Sequence, residues 1–401
     1  MFKNVNRRTL LKASATAGLS AIAPTMVRSS NAEQGDAPIL VVVELSGGND
    51  GLNTVVPYAD DAYYRARPNL GLPKSDLHLM DDHFGFNPGA LGFHRLWQEG
   101  QLAVVHGCGY ARPSYSHFTS MAYWHTGAPH GGNEFGWLGR TADNMARERR
   151  DNMLVNVGSS QSLAVKSKNH TPVVFDDPER FSRDAWLGRP EGADEMEPGS
   201  ESSIAVSPNH AYLRAVSASA ARSSRAVQAA WRAYTPKVDY GIAPMDLPKV
   251  AACIKAGLPT QLYHVSFRNN SFDTHVQQAA LHRRLLSYAA DGIYGFVKDL
   301  EAIGESHRVA VLVFSEFGRR VVENANLGTD HGSANVMFMA GEPVKGGHYG
   351  VVPSLTELVD GDNLAYTTDF RQVYATAIEG FLGVDSSEVF GARFEPLPIF
   401  S

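Results

Sequence analysis

An open α/β sheet, largely parallel and covered by helices on both faces, is the fold class that this sequence predicts. Two observations carry it. Six short apolar runs, most of them rich in β-branched residues, show no apolar–polar alternation, as strands buried on both faces do. Long helical patterns stand between several of them, the order expected of a sheet built by crossover connections.

The first 32 residues read as something other than fold. Arg7 and Arg8 precede Thr9, Leu10, Leu11 and Lys12, residues 13–27 are small and mildly apolar, and Ser30, Asn31 and Ala32 suit cleavage before Glu33. That order is a twin-arginine leader, and it makes the twin-arginine export machinery an expected partner. The stretch is too short and too weakly apolar to stay in a bilayer, which takes about 20 apolar residues. No cysteine near the cleavage site supports lipid attachment. The expected location is the periplasm or the exterior, with no stable membrane insertion of the mature chain.

Residues 33–401 then read as a single domain. Strands are expected at residues 38–45 (PILVVVEL), 102–106 (LAVVH), 153–157 (MLVNV), 261–267 (QLYHVSF), 308–314 (RVAVLVF) and 335–340 (NVMFMA). Helical patterns fill 210–234, 276–304 and 370–382. Charge, Gly, Pro and Ser crowd 176–207, which predicts a surface excursion that continues through helices to about residue 258.

Composition narrows the function. A hydrophobic fraction of 43% and a charged fraction of 19% are those of an ordinary globular protein. The net charge of -6 includes the basic leader, so the mature chain is more acidic still, and no basic run remains for nucleic acid or an anionic membrane surface. Cys108 and Cys253 are too few for a disulfide framework, and Cys108, near an apolar run, reads as a small buried hydrophobe.

In open α/β sheets ligands bind beyond the carboxyl ends of the strands, and here four strand ends carry reactive residues. The first runs into GGNDGLN at 47–53, where Asp50 is either a hard oxygen ligand or a turn residue bonded to amides. The second leads to Ser116 at the start of a helix closing at Thr126 and Gly127; such a serine is a nucleophile beside anion-binding N–H groups or a simple cap. FDTH at 272–275 puts Asp273 and His275 on one side of an extended segment, as metal ligands or as a hydrogen-bonded pair. Glu316 directly follows a buried strand, a costly place for a carboxylate unless it is paired with Arg319 or Arg320 or bound to metal; Asp330 and His331 come soon after. Carboxylates and imidazoles gathered at one sheet edge suit one or two divalent metal ions, zinc first, then manganese or calcium.

The motifs GGNDGLN at 47–53, SHF at 116–118, GWLGR at 136–140, FDTH at 272–275, SEFGR at 315–319 and TDHG at 329–332 resemble the DUF1501 family from about residue 39 to 382. That family in turn resembles, remotely, the alkaline phosphatase and sulfatase superfamily. The resemblance implies an alkaline-phosphatase-like fold and two adjacent metals, one held by Asp273, His275 and His331, the other by Asp50 and Glu316 with Ser116 nearby. Departures from the superfamily pattern are visible too. Glu316 is followed by Phe317 rather than His or Asn, and Cys108 lacks the context that sulfatases need for their modified residue.

The expectation is an exported, metal-dependent hydrolase of phosphate or sulfate esters, acting on a small-molecule or glycan ester. Ser116 would attack, Arg319 would grip non-bridging oxygens through its fork of donors, and Asn53, His117 and Asp330 would support the ligands. The alternative is a catalytically degenerate relative that binds a cell-wall glycan or a partner protein.

Overall fold

The first strand of the sheet, β1 (Ile39–Glu44), is buried along its whole length, and the direction of its side chains explains why it is apolar on both sides. Ile39, Val41 and Val43 enter one core, while Leu40 and Val42 enter another. The computed structural model describes residues 36–181 and 208–400. The leader and residues 182–207 of the expected surface excursion therefore lie outside the described residues.

After β1 the sheet takes β2 (Leu102–Gly109), β3 (Leu154–Val157), β4 (Val173–Phe175), β5 (Leu262–Ser266), β6 (Val309–Phe314), β7 (Asn335–Ala340), β8 (Gly347–Tyr349) and β9 (Thr368–Asp369). The spatial order is β8-β2-β7-β6-β1-β5-β3-β4, with β9 also paired to β2. Every pairing is parallel except those of β7, which runs antiparallel to β2 and β6. The reversal has a simple cause. Residues 315–334 contain no helix to carry the chain back across the sheet, so the chain turns at the edge where β6 ends and re-enters there. All six expected strands are present; β4, β8 and β9 were not foreseen, being three residues or fewer in length.

The helices that matter are α1 (Leu91–Gln98), α2 (His117–Thr126), α3 (Trp137–Met145), α4 (Pro208–Arg232), α5 (Leu247–Lys255), α6 (Gln278–Ile303) and α7 (Phe370–Ala375). Phe93 of α1, Val250 and Ile254 of α5, and Leu286 and Phe296 of α6 fill the core on one face of the sheet. Trp124 of α2, Trp137 of α3 and Tyr374 of α7 fill the other. There Trp124 stacks on Phe370 and Trp137 on Tyr374, each at 4.2 Å between ring centres. The helical pattern at 370–382 is α only to Ala375 and continues as a π-helix from Thr376 to Phe381.

α4 packs on α5 and α5 on α6. Tyr234 and Tyr240 both donate to the buried carboxylate of Asp299 on α6, tying the chain after α4 to the main body. No helix among the described residues is long and apolar enough to cross a membrane.

Candidate metal centre

Beyond the carboxyl end of β1 the chain turns through Gly47 (φ 120°) and Gly48 (φ 76°). Both need to be glycine. A Cβ on Gly47 would stand 2.5 Å from the Asp273 nitrogen, and one on Gly48 would stand 2.2 Å from the Phe317 ring. The tight turn points two N–H groups at Glu316, just past β6. Gly47 N donates to Oε1 at 2.9 Å and Gly48 N to Oε2 at 3.1 Å. Ser315 Oγ adds 3.2 Å to Oε2, and His117 Nδ1 adds 2.8 Å to Oε1. Five close polar contacts, counting the second from Gly47, offset the cost of burying this carboxylate completely.

His117 opens α2 and passes this order on to the next residue of the site. With Nδ1 on Glu316, its Nε2 lies 3.4 Å from Asp273 Oδ2, buried and without a hydrogen-bond partner. Glu316 also raises the pKa of His117, chiefly through that hydrogen bond. Asp273 is the focus of the cluster. Burial pushes its carboxyl up, but Arg319, His331 and His275 outweigh that and hold it at about 2. His331 Nδ1 donates to the Tyr115 carbonyl at 2.7 Å, which leaves a lone pair on Nε2. His275 Nδ1 faces Asp330 Oδ1 at 3.2 Å, and donating there bares its Nε2 in the same way.

Those two Nε2 atoms stand 2.9 Å apart, and 3.0 and 3.1 Å from Asp273 Oδ1. Lone pairs this close repel unless a proton or a cation stands among them. A tetrahedral zinc ion with bonds of about 2.0–2.1 Å would hold neighbouring ligand atoms roughly 3.3 Å apart, so the donor set fits a divalent ion. His117, Asp273 and His331 also offer ligand atoms within 4.8 Å of one another.

Of the expected site residues, Asp273, His275 and His331 are brought together. Asp330 anchors His275 from outside, half-exposed, its carboxyl lowered chiefly by a hydrogen bond from Asn324. His117 and Glu316 exchange their expected parts: the imidazole faces the cluster and the carboxylate backs it. Glu316 has no oxygen to spare for an ion.

Asp50 departs from expectation. It receives Arg67 Nη1 at 2.7 Å, Gln278 Nε2 at 2.5 Å and the Asn53 backbone N–H at 3.2 Å, all out of water. Asn53 serves the same network, its Oδ1 taking Arg67 Nη1 at 2.6 Å and Tyr63 Oη at 2.8 Å. A second ion between Asp50 and Glu316 would have to displace both sets of bonds. Arg319 departs as well. Its guanidinium is fully buried and donates to the carbonyls of Gly47, Gly48, Phe272 and Thr329 and to Asp273 Oδ1, so it clamps the loops and has no free fork for a substrate.

Ser116 is the N-cap of α2, exposed, and its hydroxyl makes no capping bond. Tyr115 before it and His117 after it both touch the cluster. Next to His117 lies an open cleft of about 460 Å³ lined by His117, Phe118, Met121 and His125 among others, with Phe118 88% exposed.

The family model described as "Protein of unknown function (DUF1501)" matches residues 37–392. No curated protein matches the chain. Among solved structures, Ps i-CgsB in complex with k-i-k-neocarrahexaose is 10% identical, with a TM-score of 0.39 over 90% of this chain and 75% of that one. The PsFucS1 sulfatase from Pseudoalteromonas sp. is 13% identical, with a TM-score of 0.38 over 92% and 72%. The lipoteichoic acid synthase LtaP from Listeria monocytogenes is 10% identical, with a TM-score of 0.37 over 83% and 75%.

Proposed function

Starting from a chain that belongs to the DUF1501 family, we propose an exported, metal-dependent hydrolase of phosphate or sulfate esters. One observation carries the reading: three imidazoles are anchored outward through Nδ1, to Glu316, Asp330 and the Tyr115 carbonyl, and aim Nε2 at the carboxylate of Asp273. Anchored imidazoles of this kind hold ligating nitrogens in one tautomer and one direction.

Asp273, His275 and His331 would hold a divalent ion, zinc by its donor set, with His117 at its side. Such an ion supplies positive charge where a phosphoryl or sulfuryl oxygen becomes more negative. The chain's own residues do the rest. Ser116 presents an uncommitted hydroxyl between two residues that touch the cluster, and the first N–H groups of α2 favour an anion there. Arg319 holds the loops and the Asp273 carboxylate in place. The cleft beside His117 leaves room for a glycan-sized ester, with the exposed Phe118 ring as an apolar face. The twin-arginine leader and a periplasmic or secreted location belong to the same proposal.

A second reading has its own support. Asp50, Glu316 and Arg319 are all committed within the protein, which fits a relative that keeps the fold and binds a cell-wall glycan or partner protein without turnover. Elemental analysis of the mature protein, combined with a panel of phosphate mono- and diesters and sulfate esters, separates the two. The hydrolase reading expects a bound divalent ion and turnover that His331→Ala abolishes. Absence of any bound ion, with no turnover across the panel, would leave the binder.

A further inference from the structure

Glu44, the last residue of β1, is buried in the sheet, 3% exposed. Its side chain follows Leu40 and Val42 onto the face that α2 covers. On the neighbouring strand β5, Val42 pairs with His264 and Glu44 with Ser266. That register puts the His264 ring beside the Glu44 carboxylate. α2 crosses above and brings in His125, two turns after His117. His125 Nε2 lies 2.6 Å from Glu44 Oε2, and His264 Nε2 lies 3.2 Å from the same oxygen.

The three groups offer ligand atoms within 4.8 Å of one another, and all three residues are buried. The His264 contact is close but not aligned as a hydrogen bond, so its Nε2 is buried with no hydrogen-bond partner although the residue is only 2% exposed. A buried ring nitrogen left without a partner calls for an explanation such as a missing ion or water. The surroundings supply one. Glu44, His125 and His264 line a cavity of about 250 Å³ together with Ser46, Ser162 and Ser266. Ser266 Oγ donates to Glu44 Oε1 at 3.2 Å, and Ser162 Oγ lies 3.5 Å from His125 Nδ1, where it can take the ring N–H and turn Nε2 inward. Water occupies about 30 Å³ in the liquid, so the cavity holds several molecules beside an ion.

We propose that Glu44, His125 and His264 form a second divalent-cation site, distinct from the one on Asp273. Two imidazoles and one carboxylate are a donor set for zinc, and the cavity leaves the remaining coordination positions open to water or to an anionic ligand. The eight helical steps from His117 to His125 span about 12 Å. One face of α2 therefore carries an imidazole of each cluster, with the cleft between them.

The test is metal stoichiometry, which needs no substrate. The mature chain is stripped with a chelator and titrated with zinc, and with cobalt, whose visible spectrum reports nitrogen ligation. The expected result is two equivalents for the unaltered protein, one for His264→Gln or Glu44→Gln, and a different one for His331→Ala. One equivalent that His264→Gln removes and His331→Ala leaves intact would sustain this site and sink the Asp273 centre. One equivalent with the opposite sensitivities would reduce Glu44, His125 and His264 to a buried ion pair and overturn the proposal. Should the variants fail to fold, anomalous scattering at the zinc edge from zinc-soaked crystals of the unaltered protein decides. A peak next to His264 Nε2 is expected, and its absence there overturns the site.

Discussion

Asp50 and Arg67 meet at 2.7 Å with both side chains out of water, a position in which breaking a pair costs more than forming it gains. Asp50→Asn keeps the size of the side chain but leaves the guanidinium without its counter-charge. The expected loss is about 3–5 kcal/mol of unfolding free energy at neutral pH, read from urea denaturation; a loss within error would show that Asn53 and the carbonyls around Arg67 suffice. Burial raises the Asp50 carboxyl, but Arg67 and His282 outweigh it and hold it below its ordinary value. Its contribution is therefore present above pH of about 4 and disappears as pH falls through the lower folded value. His282 works in a higher window. Burial lowers it to about 4, and its Nε2 meets Asn49 Oδ1 at 2.9 Å. The neutral ring is what the fold accepts, so stability is complete above pH of about 6.5 and declines as pH falls toward the folded value. Unfolding free energies at pH 7 and pH 5 should differ less in His282→Gln than in the unaltered protein. An equal difference would assign the acid sensitivity to other groups.

At the scale of elements, α2 separates two serines by one turn and gives them different work. Ser116 is exposed with a free hydroxyl at the N-cap. Ser120 is buried, donating to the Glu316 carbonyl at 2.5 Å and lying 3.2 Å from Tyr110 Oη. Ser116→Ala should therefore abolish turnover of any ester found while leaving metal content and melting temperature nearly unchanged. Ser120→Ala should cost about 1–3 kcal/mol of stability, because it strands buried polar partners. If Ser116→Ala keeps most of its activity, the attacking group is not this serine. Much of α2 was legible beforehand. A serine that can cap and a glycine suited to the left-handed φ of 60° at Gly127 mark its two ends. The grouping of Asp273, His275 and His331 rested on the family resemblance, because their residue types alone left a plain Asp–His pair equally open; the structure places the three within about 3 Å of one another. What Asp50 would bond was not. Arg67 comes from an irregular stretch after a short helix, and no periodicity announces which carboxylate it will meet. Glu44 and His264 stood in plain sight as polar breaks in apolar runs, but only the pairing of β1 with β5 makes them neighbours.

Across the whole molecule, the both-faces-buried pattern of the strands gave the sheet and its two helical layers, since composition alone records burial. The reversed direction of β7 is not written in its residues; it follows from the lack of a crossover helix after β6. An ion bound only by the folded chain stabilises it by mass action, by about 4 kcal/mol when free metal is a thousand times its dissociation constant. Chelation should lower the melting temperature of the unaltered protein, and His275→Ala should remove the share of that response owed to the Asp273 centre, leaving the share owed to Glu44, His125 and His264. A melting temperature indifferent to chelator and to added zinc would count against the Asp273 centre. Replacing Arg7 and Arg8 together by Lys preserves charge but not the paired signal, so precursor should accumulate inside the cell. Normal export of that variant, in cells lacking the twin-arginine machinery as well, would refute the leader.

The clasp between Gly47 and Glu316 joins positions 269 residues apart. During synthesis the glycine turn emerges early and waits for its carboxylate until nearly four-fifths of the chain has been made, and His331 comes later still. A prematurely terminated chain would own the first half of a lock without its key. On the proposed export of a finished fold, closing this clasp would come before departure, in step with assembly of the proposed ion site.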